Sequence, residues 1–258
     1  MTPPFDILAL THGGPLTNLK VFFVWLIRLN QLVDLALVGD ILWLVAYAAA
    51  VWKGFKQRTY CIPFVAVCLN VTWEAINVVM GLQDTNGHLR EIVQDGWLVL
   101  DVVILGQLAW YGKEQQVIPM IQQVFYQLLA AALVMALLGQ HGFMEYFPID
   151  VSKGAVGEAF LINLVMSILF VFFILLRPDM RGISLVVGWT KMLGTVLVGI
   201  GNMLRIIEQG MNPFAPGQVF LAYLIGFIFV FDVWYVMLIY QSRKRQFRHD
   251  MAVASAVA

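Results

Sequence analysis

Residues 70–77 read NVTWEAIN, inside a run from Cys61 to Gly81 otherwise built of apolar residues such as Ile, Phe, Val, Ala, Leu and Met. A helix needs about 20 mostly apolar residues to cross a bilayer. Within the run, Asn70, Glu74, Asn77 and Gly81 follow i, i+4, i+7 and i+11 spacing, which is one stripe of a helix. An acidic side chain near the bilayer centre costs about 2.5–3.5 kcal/mol on insertion scales, so such residues are functional candidates by default. The stripe predicts a membrane helix whose polar face turns inward. NVT is formally a glycosylation sequon, but its place inside a predicted span argues against modification.

The whole chain fits a membrane reading. Only 12% of its 258 residues are charged, about half the share of soluble domains, which is roughly a quarter. Mean hydropathy is +0.80. The net charge of zero carries no basic excess that would point to nucleic acid. Cys61 and Cys68 lie seven apart on one predicted helix and are expected as buried thiols, neither a disulfide framework nor a metal quartet. The N-terminus lacks a basic stretch followed by an apolar core and cleavage site, so no removable signal peptide is expected.

Seven spans are predicted, at roughly 33–52, 61–81, 95–112, 119–140, 155–176, 183–204 and 218–240. The fold class is therefore all-α, an integral-membrane bundle of seven transmembrane helices. Ahead of it, Leu19 to Leu29 is apolar and aromatic, with Lys20 and Arg28 at its edges. This reads as an interfacial helix or as an extension of the first span. Lys and Arg divide ten to five between alternate sides, with Lys53, Lys56, Arg58, Lys113, Arg177, Arg181 and the tail on the richer side. That side is expected to be cytosolic, which places the C-terminus in the cytosol and the N-terminus outside or in the lumen. The domain reading is an N-terminal segment 1–32, a transmembrane domain 33–242 and a basic tail 243–258. LDVVILGQLAWYGK (Leu100 to Lys113) and FDVWYVMLIYQSRK (Phe231 to Lys244) hint at a three-plus-one-plus-three repeat.

Asp40, Glu74, Asp101, Glu158 and Asp232 fall within spans. Counted at 1.5 Å per residue, Asp40, Asp101 and Asp232 lie roughly 16–20 Å from their basic boundaries, and Glu74 roughly 24 Å. A common depth suggests a common cavity. Arg205 or Lys191 is expected to neutralise a carboxylate. For Asp40, Asn70, Asn163 and Asn202 the plainer reading is interhelical hydrogen bonding; for Glu74 and Asp232 it is chemistry. Trp43, Trp73, Trp97 and Tyr235 belong to a set of aromatics of which several are expected to line a cavity and stabilise a cation. Gly194, Gly199 and Gly201 are expected to permit close helix packing.

WKGFKQRTY (Trp52 to Tyr60) followed by NVTWE (Asn70 to Glu74) resembles the integral-membrane terpene cyclases of fungal meroterpenoid and indole-diterpene pathways. That group includes the pyripyropene and paspaline cyclases and bacterial relatives. KMLG (Lys191 to Gly194), Leu204-Arg205 and the Asp of FDVWY fall where that family carries similar residues. The resemblance implies a seven-helix cyclase of isomerase or intramolecular lyase type, acting on a lipophilic prenylated and epoxidised substrate in the bilayer. It further implies an acidic pair, Glu74 and Asp232, with Asp101 as a third carboxylate. Asn70, Trp73, Asn77, Trp97, Asp40 and Tyr235 are the residues expected to bind substrate. Such an enzyme works beside a prenyltransferase and an epoxidase, in the endoplasmic reticulum of a eukaryote or the inner membrane of a bacterium.

Starting a polyene cascade by protonation needs a placed acid and a dry site, because desolvation disfavours the charged form of a carboxyl group. The sequence contains no consecutive Asp-Asp, hence neither DDxxD nor DxDD. The expectation is a reaction with no metal and no cofactor. The main rival is a proton-coupled or facilitative transporter with seven helices and buried carboxylates, although the PQ dipeptide of one such class is missing. A retinal receptor would need a lysine mid-way along the seventh span, which has none. A purely structural membrane protein is the remaining alternative.

Overall fold

The computed structural model describes residues 15–80, 88–146 and 151–257; Gly81 of the polar stripe lies outside these described residues. The described chain is helical. Helix α1 spans Pro15–Val33 and α2 spans Leu35–Gln57. Asp34 separates them in a left-handed conformation (φ 45°) while its side chain accepts from Leu37 N. The apolar N-terminal stretch is therefore a helix of its own and does not lengthen the first span.

Helix α3 spans Phe64–Met80, α4 His88–Tyr111, the short α5 Pro119–Gln123 and α6 Phe125–Tyr146. Helices α7 (Val151–Leu175), α8 (Leu185–Glu208) and α9 (Pro216–Val257) complete the order. Six of these are long and apolar enough to cross a membrane, and Phe64–Val78 within α3 is a shorter apolar helix. The second predicted span starts three residues late. Pro63 fixes its own φ and keeps the preceding residue extended, so Cys61 and Ile62 stay outside the helix and the Pro63 carbonyl accepts from Val67 N. Both cysteines are buried and free, as expected, but only Cys68 is helical. The fourth predicted span is interrupted at Val124, between α5 and α6. Helix α9 runs past residue 243 without a break, so the basic tail continues the last helix.

The outer faces are apolar. Helix α6 buries only Phe125, Leu129, Ala136 and Gln140, while Leu128, Met135 and Leu138 stand exposed. Trp110, Phe172, Leu175 and Val230 are exposed on other helices. A soluble protein rarely exposes so continuous an apolar surface; a bilayer requires it.

Glycines set the closest seam. A Cβ on Gly39 would stand 2.6 Å from the Gly194 carbonyl oxygen, and one on Gly194 would stand 2.9 Å from that of Gly39. A Cβ on Gly201 would meet Ala36 N at 2.7 Å. Helices α2 and α8 thus touch backbone to backbone, as the glycines of the sixth span predicted. Gly199 performs the same service toward Ile225 of α9.

One end of the bundle is tied by loop contacts. Arg58 caps α2 in the left-handed region (φ 49°). Arg181 Nη2 donates to the carbonyls of Gln57 and Arg58, and Gly182 N donates to Gln57 Oε1. Arg177 Nη1 donates to Thr59 Oγ1 (2.9 Å), Tyr60 O and Arg181 O, and its Nη2 donates to Gln115 Oε1. The guanidinium also lies 4.2 Å from the Tyr60 ring and 4.1 Å from that of Phe173. The segment WKGFKQRTY is thereby the hub joining the turns after α2, α4 and α7. Toward the other end, Arg205 Nη2 reaches both oxygens of Asp34, at 2.8 and 3.0 Å.

Candidate active site

Buried side chains form two apolar clusters. A large one runs through α2, α3, α4, α6, α7, α8 and α9; a small one holds Phe160, Leu221, Leu224 and Ile228. Met166 of the first and Phe160 of the second both face a cavity of about 110 Å³. It is built from helical stripes. Helix α2 gives Asp40, Trp43 and Tyr47; α3 gives Asn70, Trp73 and Glu74; α4 gives Trp97. Helix α7 adds Ala159, Phe160, Ile162, Asn163 and Met166, and α8 adds Thr195 and Val198. Spacings of three and four residues place each set on one face of its helix.

Glu74 lies on this wall with 5% of its surface exposed, within electrostatic reach of Asp101 and Asp40. Its carboxyl group accepts no hydrogen bond from the described residues, whereas its neighbours are tightly held. Asn70 Nδ2 donates to the Tyr47 hydroxyl and to Asp101 Oδ2 (3.3 Å), joining α2, α3 and α4. Asn163 Nδ2 donates to Thr195 Oγ1 at 2.9 Å, joining α7 to α8. The interhelical role expected of Asn70 and Asn163 is present; Asn202 instead donates within its own helix, to Val198 O.

Three indoles and a phenol surround the acid. Trp43 meets Tyr47 edge to face, with centroids 5.6 Å apart. Trp73 Nε1 and Trp97 Nε1 are buried without a hydrogen-bond partner among the described residues. Electron-rich ring faces stabilise a neighbouring cation by about 0.5–2 kcal/mol each.

The structure separates the residues singled out in the sequence into two groups. Glu74, Asp40, Asn70, Trp73 and Trp97 line the cavity. Asp101, Asn77, Asp232 and Tyr235 do not. Asp101 stands behind Asn70, and Asn77 turns back to donate to Trp73 O. Tyr235 packs on Phe170 with centroids 5.0 Å apart. Asp232 is paired with Lys191 at 2.6 Å, both groups almost wholly buried. Of the acidic pair that the family resemblance implied, Glu74 faces the cavity, whereas Asp232 is not among the lining residues and is bound to a lysine. Tyr47 and Thr195 were not singled out in the sequence, while Trp43 entered only as one of many aromatics and Asn163 only as an interhelical hydrogen-bonding residue; all four line the cavity. The stripe Asp40-Trp43-Tyr47 repeats the spacing logic that exposed Glu74 and carried the signal for two of them.

The pattern that defines the Pyr4-like transmembrane terpene cyclases matches residues 27–245, most of the chain. The chain belongs to that family. Among its relatives is terpene cyclase macJ of Penicillium terrestre, 30% identical over 66% of this chain and 65% of the relative, just under two thirds of that protein. Asnovolin H synthase nvfL of Aspergillus novofumigatus is 24% identical over 93% of this chain and 95% of its own length. Terpene cyclase pyr4 of Aspergillus fumigatus is 22% identical over 80% and 84%. No solved structure matches. As a Pyr4-like terpene cyclase the chain is an enzyme and an integral, multi-pass membrane protein, which sets aside the transporter, receptor and structural alternatives.

Proposed function

We propose that this terpene cyclase isomerises a prenylated substrate bearing a terminal epoxide, with Glu74 as the acid. The observation that carries the reading is Glu74 on the wall of a cavity that also presents Trp43, Trp73, Trp97 and Tyr47. The Glu74 carboxyl O–H gives its proton to the epoxide oxygen, and the C–O bond to the more substituted carbon breaks. The electron pair stays on oxygen as a hydroxyl group, and the cation on carbon is captured by the nearest alkene. Each ring closure consumes one π bond and moves the charge along the chain. Loss of a proton from carbon to a carboxylate ends the cascade, so the product is an isomer of the substrate. Asp40, on the same wall, takes that proton from carbon and returns it to the Glu74 carboxylate, which restores the acid for the next turnover. Asn70, Trp73, Trp97 and Asp40 are the substrate-facing set, and Asp101 holds Asn70. No step calls on a metal or cofactor.

We infer that α3 spans the membrane with the six longer helices, making seven, with α1 in the interface. The end tied by Arg177 and Arg181 carries the lysine and arginine excess and is assigned to the cytosol. The domain reading keeps residues 33–242 as the catalytic bundle. A prenylated substrate partitions into lipid, and a cavity between helices shields the cation from water. The substrate must come from a prenyltransferase followed by an epoxidase. The compartment is the endoplasmic reticulum in a eukaryote or the inner membrane in a bacterium.

The test incubates membranes holding the chain with geranyl-, farnesyl- and geranylgeranyl-substituted phenols bearing the terminal epoxide. Conversion of one to a cyclic isomer by the wild type, and its loss in Glu74→Gln, supports the reading. Equal turnover by Glu74→Gln removes Glu74 as the acid.

A further inference from the structure

The Lys191–Asp232 pair is the one charged pair with both side chains almost wholly buried among the described residues, with 1% and 2% of side-chain surface exposed. Its position relative to the cavity defines what it does. Lys191 Nζ also donates to Ser167 Oγ at 2.6 Å. Ser167 in turn donates to the Asn163 carbonyl at 2.9 Å, and Asn163 lines the cavity. The ammonium lies 5.3 Å from the centre of the Trp43 ring, which lines the cavity although Lys191 does not. Trp43 therefore stands between a fixed cation and the space where, on the reading above, a carbocation forms. A lone ammonium there would oppose the charge that the indoles stabilise. Asp232 Oδ1 cancels it at hydrogen-bonding distance, while Asp232 Oδ2 is buried with no partner among the described residues.

We propose that Asp232 is a positioning residue that neutralises Lys191 behind the Trp43 wall, so that the cavity tolerates a cation, and that it neither gives nor takes a proton. The pair also holds Ser167 and, through it, Asn163. This rests on the proposed cationic cascade and assigns Asp232 a purpose that its place outside the cavity permits.

The experiment compares Asp232→Asn, Lys191→Met/Asp232→Asn and wild type in detergent. One readout is turnover of the epoxide from the series above. The other is binding of the farnesyldimethylammonium ion and of the uncharged hydrocarbon of the same shape, followed by tryptophan fluorescence. Asp232→Asn leaves the ammonium uncompensated about 8 Å from the bound cation, which at an effective dielectric constant of about 20 weakens binding of the ammonium probe roughly thirty-fold. Binding of the hydrocarbon stays within about threefold. The double variant, with neither charge, recovers both ammonium binding and kcat to within about tenfold of wild type. A merely structural defect would weaken both probes alike, and that result overturns the proposal. So does a folded double variant that binds the ammonium probe normally but turns over no substrate, because Asp232 would then be moving the proton. If Asp232→Asn does not accumulate, the double variant against wild type decides by the same two readouts. Failure of the Glu74 reading shows separately, as an active Glu74→Gln, and leaves the probe-binding comparison intact.

Discussion

Arg177 and Glu74 are both ionisable side chains in an apolar bundle, set in opposite surroundings. Arg177 donates four hydrogen bonds across the loop end and lies against two rings. The loop hub around it is saturated: Thr59 Oγ1 also donates to Gln115 Oε1 at 2.6 Å. The cavity is left open-handed, with Trp73 Nε1, Trp97 Nε1 and, behind Asn70, Asp101 Oδ1 unpartnered among the described residues. Unmade hydrogen bonds in a buried place cost about 1–3 kcal/mol each. The loop end spends its polar groups on holding the helices, and the cavity keeps two indole N–H groups beside Glu74 for a guest.

That contrast breaks if both regions respond alike to mutation. The largest effect is expected from Glu74→Gln, which removes the acid and keeps the shape; kcat should fall about a thousandfold, while the midpoint of thermal unfolding in detergent stays within a few degrees. Arg177→Ala should do the reverse. It strips charged hydrogen bonds and two ring contacts together, and a loss of about 3 kcal/mol is expected, read as a lowered midpoint with kcat per folded molecule nearly unchanged. Gly194→Ala sharpens the comparison because it touches both. The added methyl group meets the Gly39 carbonyl at 2.9 Å, so α2 must move and carry Asp40 and Trp43 with it. About 2 kcal/mol of stability should go, and the product should include partly cyclised material. Trp73→Phe is the smallest change. It keeps a ring and deletes the orphan N–H, so kcat/KM should fall only about fivefold with stability unchanged or slightly raised.

Much of the bundle was legible because hydropathy reports length and lipid contact directly. The error at the second span came from one residue, Pro63, which keeps the residue before it extended whatever the apolar run around it. Glu74 was legible because Asn70 and Asn77 flank it at helical spacing, so one stripe announced an inward face. The surroundings of Asp232 were hidden for a reason that spacing does not repair. Depth along a helix follows from residue counts, but the direction in which a side chain leaves the axis depends on how neighbours pack. Asp232 points to Lys191 on α8. The sequence raised Lys191 only as one of two cations able to neutralise some carboxylate. Tyr47 went unseen because Ala and Val surround it and nothing local marks it, although Asp40 and Trp43 lie on its own stripe.

The cavity takes Glu74, the proposed acid, from α3 and most of its remaining lining from four other helices. Ignition and the shaping of the product are thereby entrusted to separate segments of chain. Descendants of such a scaffold can exchange an isoleucine or a methionine on α7, redirect which carbon the charge visits last, and reach a new skeleton while the trigger stays as it was.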